Sequence, residues 1–367
     1  MKKKILLVTG IYPPDIGGPA QFTFSFANWL KKKGYAVTII TLTNNENIKK
    51  KGNFFYISRK KFYVFRLLET IRLILRLKKK FDVVLASGLH FECSLASFFI
   101  RKNFFFRVAG DKAWEYSIEK KITKINFDDY QVSNNIKFYF YKSIRNFYLK
   151  RCHAIIVPSK YLLNVVRQWK LKKNIYHINN ASLISKNKKN IVIRKKIILT
   201  VSRLVSWKNI DKSILLIKNL PNYYYYIIGN GPLYGKLKAL IIKEGLGKKV
   251  FLLGKKNHKI ISKYLSQSSA FLLLSSYEGM SHVILDAMQL KVPLLISDIL
   301  PNRELVINRK NGLLLDINNA KQMQKQIDYF LNNKVKINAQ VQKAYEKLKK
   351  NYDLEKNFLE YEAVIFK

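Results

Sequence analysis

Two carboxylates eight residues apart carry the clearest chemical signal in the chain. Glu278 and Asp286 lie in the stretch SSYEGMSHVILDAMQLKVPLLISD, residues 275–298. The first precedes, and the second sits inside, a predicted helix from about Met280 to Leu290. Its Val283, Ile284, Ala287 and Leu290 have the i, i+3, i+4 spacing of a buried face. Eight residues at about 1.5 Å rise span about 12 Å, roughly the length of a nucleoside diphosphate sugar from sugar ring to ribose. Each carboxylate can then accept hydrogen bonds from hydroxyls at opposite ends of one ligand. Between them the backbone at Gly279, Met280 and Ser281 and the helix N-terminus offer N–H groups and a positive dipole end to a diphosphate. Arg203 and Lys208, five residues apart beyond another predicted strand, can reach the same diphosphate. In so basic a chain, solvated charge is the plainer reading of either one alone.

These groups need elements that hold them. Residues 4–9, KILLVT, read as a buried strand. A loop, IYPPDIGGPA, and a helix from about Gln21 to Lys33 follow, with Phe22, Phe26, Trp29 and Leu30 on one stripe; YAVTIITL is the next strand. Strand, glycine-containing loop, helix and strand open a Rossmann-like sheet. No G-x-G-x-x-G is present, so Gly17 and Gly18 serve either close backbone approach to a ligand or a plain turn. FDVVLASG (81–88) and Phe104–Val108 read as further strands. His90 is placed in the loop after the first of these, and AGDKAWE follows the second. AIIVPSKYLLNVV (154–166) gives strand, turn and helix. Residues 185–196, SKNKKNIVIRKK, lack an apolar stripe and read as a linker. Beyond it, strands at 197–203, 223–229, 250–254, 270–275, 294–297 and 312–316 alternate with helices, which argues a second parallel sheet. Ligands of such sheets bind off the carboxyl ends of the strands.

The stretch 275–298 resembles the Glu-x7-Glu signature of family 4 retaining glycosyltransferases. Ser275, Glu278, Gly279, Ala287, Met288, Pro293 and Ser297 fall in place, Asp286 stands where the second Glu belongs, and Lys291 stands where Gly is usual. VSRLVSWKNID, with Arg203 and Lys208, resembles that family's donor-phosphate segment. GNGP, with Gly229 and Gly231, resembles its G-x-G-P loop, and YPPDIGG, with Gly17 and Gly18, its opening loop. The resemblance implies the α/β GT-B fold: two Rossmann-like parallel-sheet domains facing across a cleft. The N-terminal acceptor domain is expected at 1–182, the nucleotide-sugar donor domain at 183–345, and a C-terminal helix returning to the first domain at 346–367. It further implies that Glu278 holds the donor sugar, Asp286 the ribose, and Arg203 and Lys208 the leaving diphosphate of a UDP- or GDP-sugar, with no cofactor and no metal. Asp111, in a text similar to a G-D-x-A-W-E segment of bacterial members, is the candidate reaction centre. Trp114, Glu115 and His90 are candidates for the acceptor side, Trp114 being equally readable as core and His90 as a surface loop residue.

The chain has 367 residues, enough for two full cores, and an ordinary apolar content that excludes disorder. Its charge is unusual: 68 Lys and Arg against 23 Asp and Glu, net +45. The excess is even, 35 basic and 10 acidic residues in 1–182 and 33 and 13 in 183–367. Even spread suits a general lysine-rich bias; the functional reading is attraction to a polyanion, an anionic membrane surface or nucleic acid. RKKFYVFRLLETIRLILRLKKK (59–80) is an amphipathic, strongly basic segment, and IKFYFYKSIRNFYLKR (136–151) a second basic-aromatic one. No recognised nucleic-acid motif is present, so specific nucleic-acid binding is not expected. Cys93 and Cys152 make no disulfide framework and fit reduced thiols in a cytoplasm. The apolar run after MKKK is too short for a signal peptide, and no segment approaches a membrane span. The expected protein transfers a sugar from a nucleotide-sugar to a glycan or glycolipid acceptor, in the cytoplasm or on the inner face of the membrane. A catalytically silent subunit of the same fold and a polyanion-binding protein are the rival readings.

Overall fold

The computed structural model describes residues 3–15, 17–182 and 195–367. The predicted linker lies outside the described residues except for its last two, which open a strand. The chain forms two compact units, one of Met1–Asn179 with Phe358–Lys367, the other of Asn180–Asn357. The division falls three residues before the expected boundary, and only the last ten residues join the first unit.

The first unit is built on an eight-stranded sheet. Its strands are β1 (Lys4–Thr9), β2 (Ala36–Thr43), β3 (Lys50–Lys51), β4 (Phe54–Ser58), β5 (Val83–Ala86), β6 (Asn103–Arg107), β7 (Ala154–Val157) and β8 (Asn174–His177). They lie in the order β3-β4-β2-β1-β5-β6-β7-β8, all parallel except the short edge pair β3–β4. β1, β5 and β7 are apolar along nearly their whole length because helices cover both faces. The chain moves one way from β1 to β4 and the other way from β1 through β5 to β8. Right-handed crossovers then put helix Gly18–Lys32 on one face and helices Tyr63–Arg76, His90–Ser97 and Ile136–Leu149 on the other. On the first face, Phe26 of helix Gly18–Lys32 meets Phe358 with ring centroids 5.1 Å apart, and Phe22 lies 4.9 Å from Tyr361.

The second unit carries β9 (Lys195–Val201), β10 (Tyr224–Ile228), β11 (Val250–Gly254), β12 (Ser268–Leu273), β13 (Leu294–Ser297) and β14 (Leu313–Leu315). All pair in parallel, in the order β11-β10-β9-β12-β13-β14. Apolar clusters fill both faces, one around Ile214, Ile241 and Ile327, the other around Ile284, Met288 and Leu348. Every strand of the six therefore delivers its following loop to one edge.

Two expectations change in detail. The helix after Glu278 begins at His282 rather than Met280, which leaves Gly279–Ser281 in the loop before it. His90 is the first residue of helix His90–Ser97, entered through the left-handed Leu89, and not a surface loop residue.

Candidate functional site

In the second unit the loops after β9, β10 and β12 are bolted together. Leu204 N–H donates to Asn230 O at 3.0 Å, and Leu233 N–H returns to Leu204 O at 3.1 Å. Gly229 and Gly231 permit this contact. A Cβ on Gly229, at φ 149°, would sit 1.8 Å from Ser202 O, and one on Gly231 2.4 Å from Leu204 O. These glycines seat the loop around Arg203; the close approach they allow is to backbone. Arg203 itself is exposed between the two seated residues.

Lys208 ends a 3-10 turn, Ser206–Lys208, that is tied to the segment after β12. Asn209, left-handed at φ 48°, donates from Nδ2 to Leu274 O at 2.8 Å, and Ser276 N–H donates to Trp207 O at 2.8 Å. The result brings Lys208 Nζ onto Glu278 Oε1 at 2.5 Å, although 70 residues separate them. Ser275 Oγ donates to the same oxygen at 2.7 Å. Ser275 is fixed in turn, its carbonyl accepting from Ser297 Oγ at 2.6 Å, and Asn302 Nδ2 donates to Ser297 at 3.0 and 3.1 Å. The ion pair is largely desolvated, with side chains 14% and 9% exposed. A carboxylate and an ammonium held this way at the carboxyl edge of a parallel sheet can serve hydroxyls and phosphate of one ligand without reorganising.

Gly279 and Met280 are buried, and Ser281 precedes the helix without a side-chain cap. Met280 O accepts from Asn180 Nδ2 at 2.8 Å and its Sδ from Asn180 N–H at 3.3 Å, so this residue is a clamp for the loop. Asp286 lies on helix His282–Gln289. Its Oδ1 accepts from Ser182 Oγ at 3.2 Å, and its Oδ2 pairs with His258 Nε2 at 3.2 Å. The hydrogen bond to Asp286 raises the imidazole pKa above its ordinary value. Asn180, Ser182 and His258 were not legible as site residues, since each meets its partner across 28 to 107 residues with no spacing signal.

In the first unit the loop after β1 is held by Arg59. Its guanidinium pairs with Asp15 and donates to Gly10 O at 2.8 Å. Gly17 lies at φ 151°, where a Cβ would meet Ile11 Cδ1 at 2.8 Å, and Gly18 opens the following helix. Asp111, the candidate reaction centre, is placed in the interior rather than on an open surface. It is fully buried, caps helix Lys112–Glu119 through Ala113 N–H at 2.9 Å, and its other oxygen takes Arg145 Nη1 at 2.6 Å and Gln131 Nε2 at 2.9 Å. Arg145 also lies over the Trp169 ring, 3.7 Å from its centroid. Trp114 is core rather than acceptor pocket: 2% exposed, donating to Ile125 O and edge-on to Phe127. Glu115 is ion-paired with Lys112 next to it in the helix. His90 Nε2 contacts Ala86 O at 3.2 Å, with its ring near those of Phe106 and Tyr148. Desolvation by this packing pulls its pKa down to about 4. The structure therefore gathers Glu278, Lys208 and the Arg203 loop into one place, and engages Asp111, Trp114, Glu115 and His90 in contacts within the first unit. Among the described residues no three His, Cys, Asp or Glu side chains are placed to hold a metal ion.

Comparison with known proteins follows the two units. The model described as Glycosyltransferase Family 4 matches residues 16–181, and that of Glycosyl transferases group 1 matches 183–352. A Haemophilus influenzae protein named only as an uncharacterized glycosyltransferase is 27% identical over 52% of this chain and 55% of its own length. An Escherichia coli UDP-Gal:alpha-D-GlcNAc-diphosphoundecaprenol alpha-1,3-galactosyltransferase is 34% identical over 32% of this chain and 28% of its own. The chain thus spans about half, or less, of the length of these relatives. Sucrose-phosphate synthase from Thermosynechococcus elongatus superposes with a TM-score of 0.80 at 15% identity, covering 99% of this chain and 98% of that one, a likeness of fold. With the two models matched in chain order onto the two parallel-sheet units, the chain belongs to the family 4 and group 1 glycosyltransferases and has the GT-B fold.

Proposed function

We propose that this protein is a retaining glycosyltransferase that moves a sugar from a UDP- or GDP-sugar to a hydroxyl of a lipid-linked or cell-surface glycan. The observation that carries the reading is the desolvated Lys208–Glu278 pair anchored by Ser275. Glu278 accepts donor-sugar hydroxyls. Lys208 and Arg203 take up the charge that develops on the leaving diphosphate, a role that otherwise needs a bound cation. Burial in a partly desolvated site strengthens that stabilisation. Asp286 holds the ribose. Retention, with departure and attack on one face of the sugar, rests on the family resemblance. A lipid-linked acceptor is supported by the name of the E. coli relative, and the donor class by the same name.

A thermal-shift panel of nucleoside diphosphates and their sugars tests the donor half, with Arg203→Ala beside the wild type. A ligand at ~100 times its Kd stabilises by about 2.7 kcal/mol. One nucleotide class is expected to stabilise the wild type and not Arg203→Ala; no stabilisation by any of them refutes the reading and moves the silent-subunit alternative ahead.

A further inference from the structure

Two helices of the first unit leave large apolar residues exposed at their starts. In helix Tyr63–Arg76 only Thr70 and Ile74 are buried, while Phe62, Val64 and Phe65 are 78%, 54% and 68% exposed. Helix Ile136–Leu149 is apolar on two sides. Phe138, Tyr148 and Leu149 face the core, and Ile136, Tyr139 and Phe140 stand out at 83%, 70% and 62%. Surface apolar residues scattered singly need no explanation, but three large ones at each of two helix starts expose on the order of 350 Å² per cluster, the size of the largest apolar patch on a typical monomer, which is often functional.

Their place in the fold is the same. A crossover helix between parallel strands runs back against them, so its first turn lies at the carboxyl edge of the sheet. Both helices belong to the layer that also holds helix His90–Ser97, so the two apolar starts sit along one edge. The segments around them are basic, nine Lys and Arg against one acid in 59–80 and five against none in 136–151. Such a face repels a second copy of itself. Phe62, Phe65, Tyr139 and Phe140 also offer faces on which bases stack, so an oligonucleotide is the rival outcome of the test. A bilayer with anionic headgroups satisfies both halves: apolar side chains enter the headgroup–acyl boundary while basic ones meet the phosphates.

We propose that the starts of helices Tyr63–Arg76 and Ile136–Leu149 form a docking face for an anionic lipid bilayer. Docking there holds the carboxyl edge of this sheet against the lipid surface, where the saccharide of a lipid-linked acceptor emerges. The inference rests on the glycosyltransferase reading for its purpose and on exposure and charge for its location.

The test is sedimentation with vesicles of phosphatidylglycerol and phosphatidylcholine, using the full chain, Phe65→Ser/Phe140→Ser and, as a second pair, Val64→Ser/Tyr139→Ser. All four positions are exposed, so both pairs should melt as the wild type does. The wild type is expected to bind anionic vesicles and to bind neutral ones at least tenfold more weakly. Each pair should lose at least tenfold on anionic vesicles, and Phe65→Trp should shift its emission to the blue on vesicle addition. Equal binding by wild type and both pairs, no vesicle binding at all, or loss only of oligonucleotide binding or of a dimer in the pairs overturns the proposal. Nucleotide-dependent thermal shifts run alongside: if they persist without vesicle binding, the docking face fails and the donor site stands; if they are absent with vesicle binding intact, the reverse holds.

Discussion

Replacing Glu278 by Gln keeps the side chain's shape and its acceptor for Ser275 Oγ but leaves the Lys208 ammonium facing a neutral amide. Removing one partner of a fully buried pair costs ~3–5 kcal/mol because the other charge stays desolvated. Here the side chains keep 9% and 14% of their exposure, which lets water offset part of that. We expect a loss of ~2 kcal/mol, or roughly 4–8 °C in Tm for a unit of this length. Lys208→Met should cost a similar amount. The double variant should recover most of the loss, since two uncharged groups in place of a buried pair are often neutral or better. The cycle then gives a coupling of about 3 kcal/mol or slightly more, read by urea unfolding with the emission of Trp207, which precedes Lys208 in its turn. In the same proteins Glu278→Gln should lower transfer at least ~100-fold while nucleoside diphosphate binding stays within about threefold, the drop being that seen when a preorganised polar contact is lost. If Glu278→Gln unfolds within ~0.5 kcal/mol of the wild type and the cycle shows no coupling, the pair is not a desolvated unit and the argument from preorganisation fails.

Four further outcomes follow from the same geometry. Gly229→Ala should destabilise by ~2–4 kcal/mol, since its Cβ meets backbone at 1.8 Å, and should weaken nucleotide binding by displacing the Arg203 loop; unchanged unfolding and affinity would contradict the packing described. Asp111→Asn should cost ~3 kcal/mol by stranding buried Arg145, yet leave transfer per folded molecule unaltered, as urea unfolding and active-fraction assays can show. His90, depressed to about 4 by desolvation, contributes roughly 3 kcal/mol that is complete above the unfolded value near 6.5 and is lost as pH falls toward 4, so His90→Gln should flatten the acid limb of the stability profile. His258, raised by Asp286, acts with the opposite sign: its contribution is present below about 6.5 and vanishes as pH rises through the folded value, so the stability gap to His258→Gln should be open at pH ~5.5 and closed at pH ~9.

The alternation of strands and helices was legible because it is local. Buried parallel strands are unbroken apolar runs such as AIIV and LLIS, and the helices between them repeat at 3.6 residues. Ser275 and Glu278 were legible for the same reason, three residues apart in one loop. The burial of Asp111 was not legible, because it is decided by Arg145 and Gln131, 34 and 20 residues on. The amphipathic stripe in 59–80 was legible by its period alone. Which part of the stripe the sheet covers depends on where neighbouring helices end, and that left Val64 and Leu68 outside. Gly229 and Gly231 were recognised as special positions, but only the fold shows that the atoms they admit are the carbonyls of Ser202 and Leu204.

The two acids of the Glu278–Asp286 stretch end in different environments, and this bears on the shorter second one. Glu278 is gripped on a single oxygen, Oε1, by Ser275 and Lys208. Asp286 is gripped on both, by Ser182 and His258. A side chain one methylene shorter reaches less far from its helix, yet Ser182 and the half-exposed His258 come to it. A hydroxyl on Asp286 Oδ2 would share that oxygen with the imidazole, whose pKa is raised by this contact. The motif position thus holds an acid contacted by Ser182 and His258, two residues that lie outside the motif.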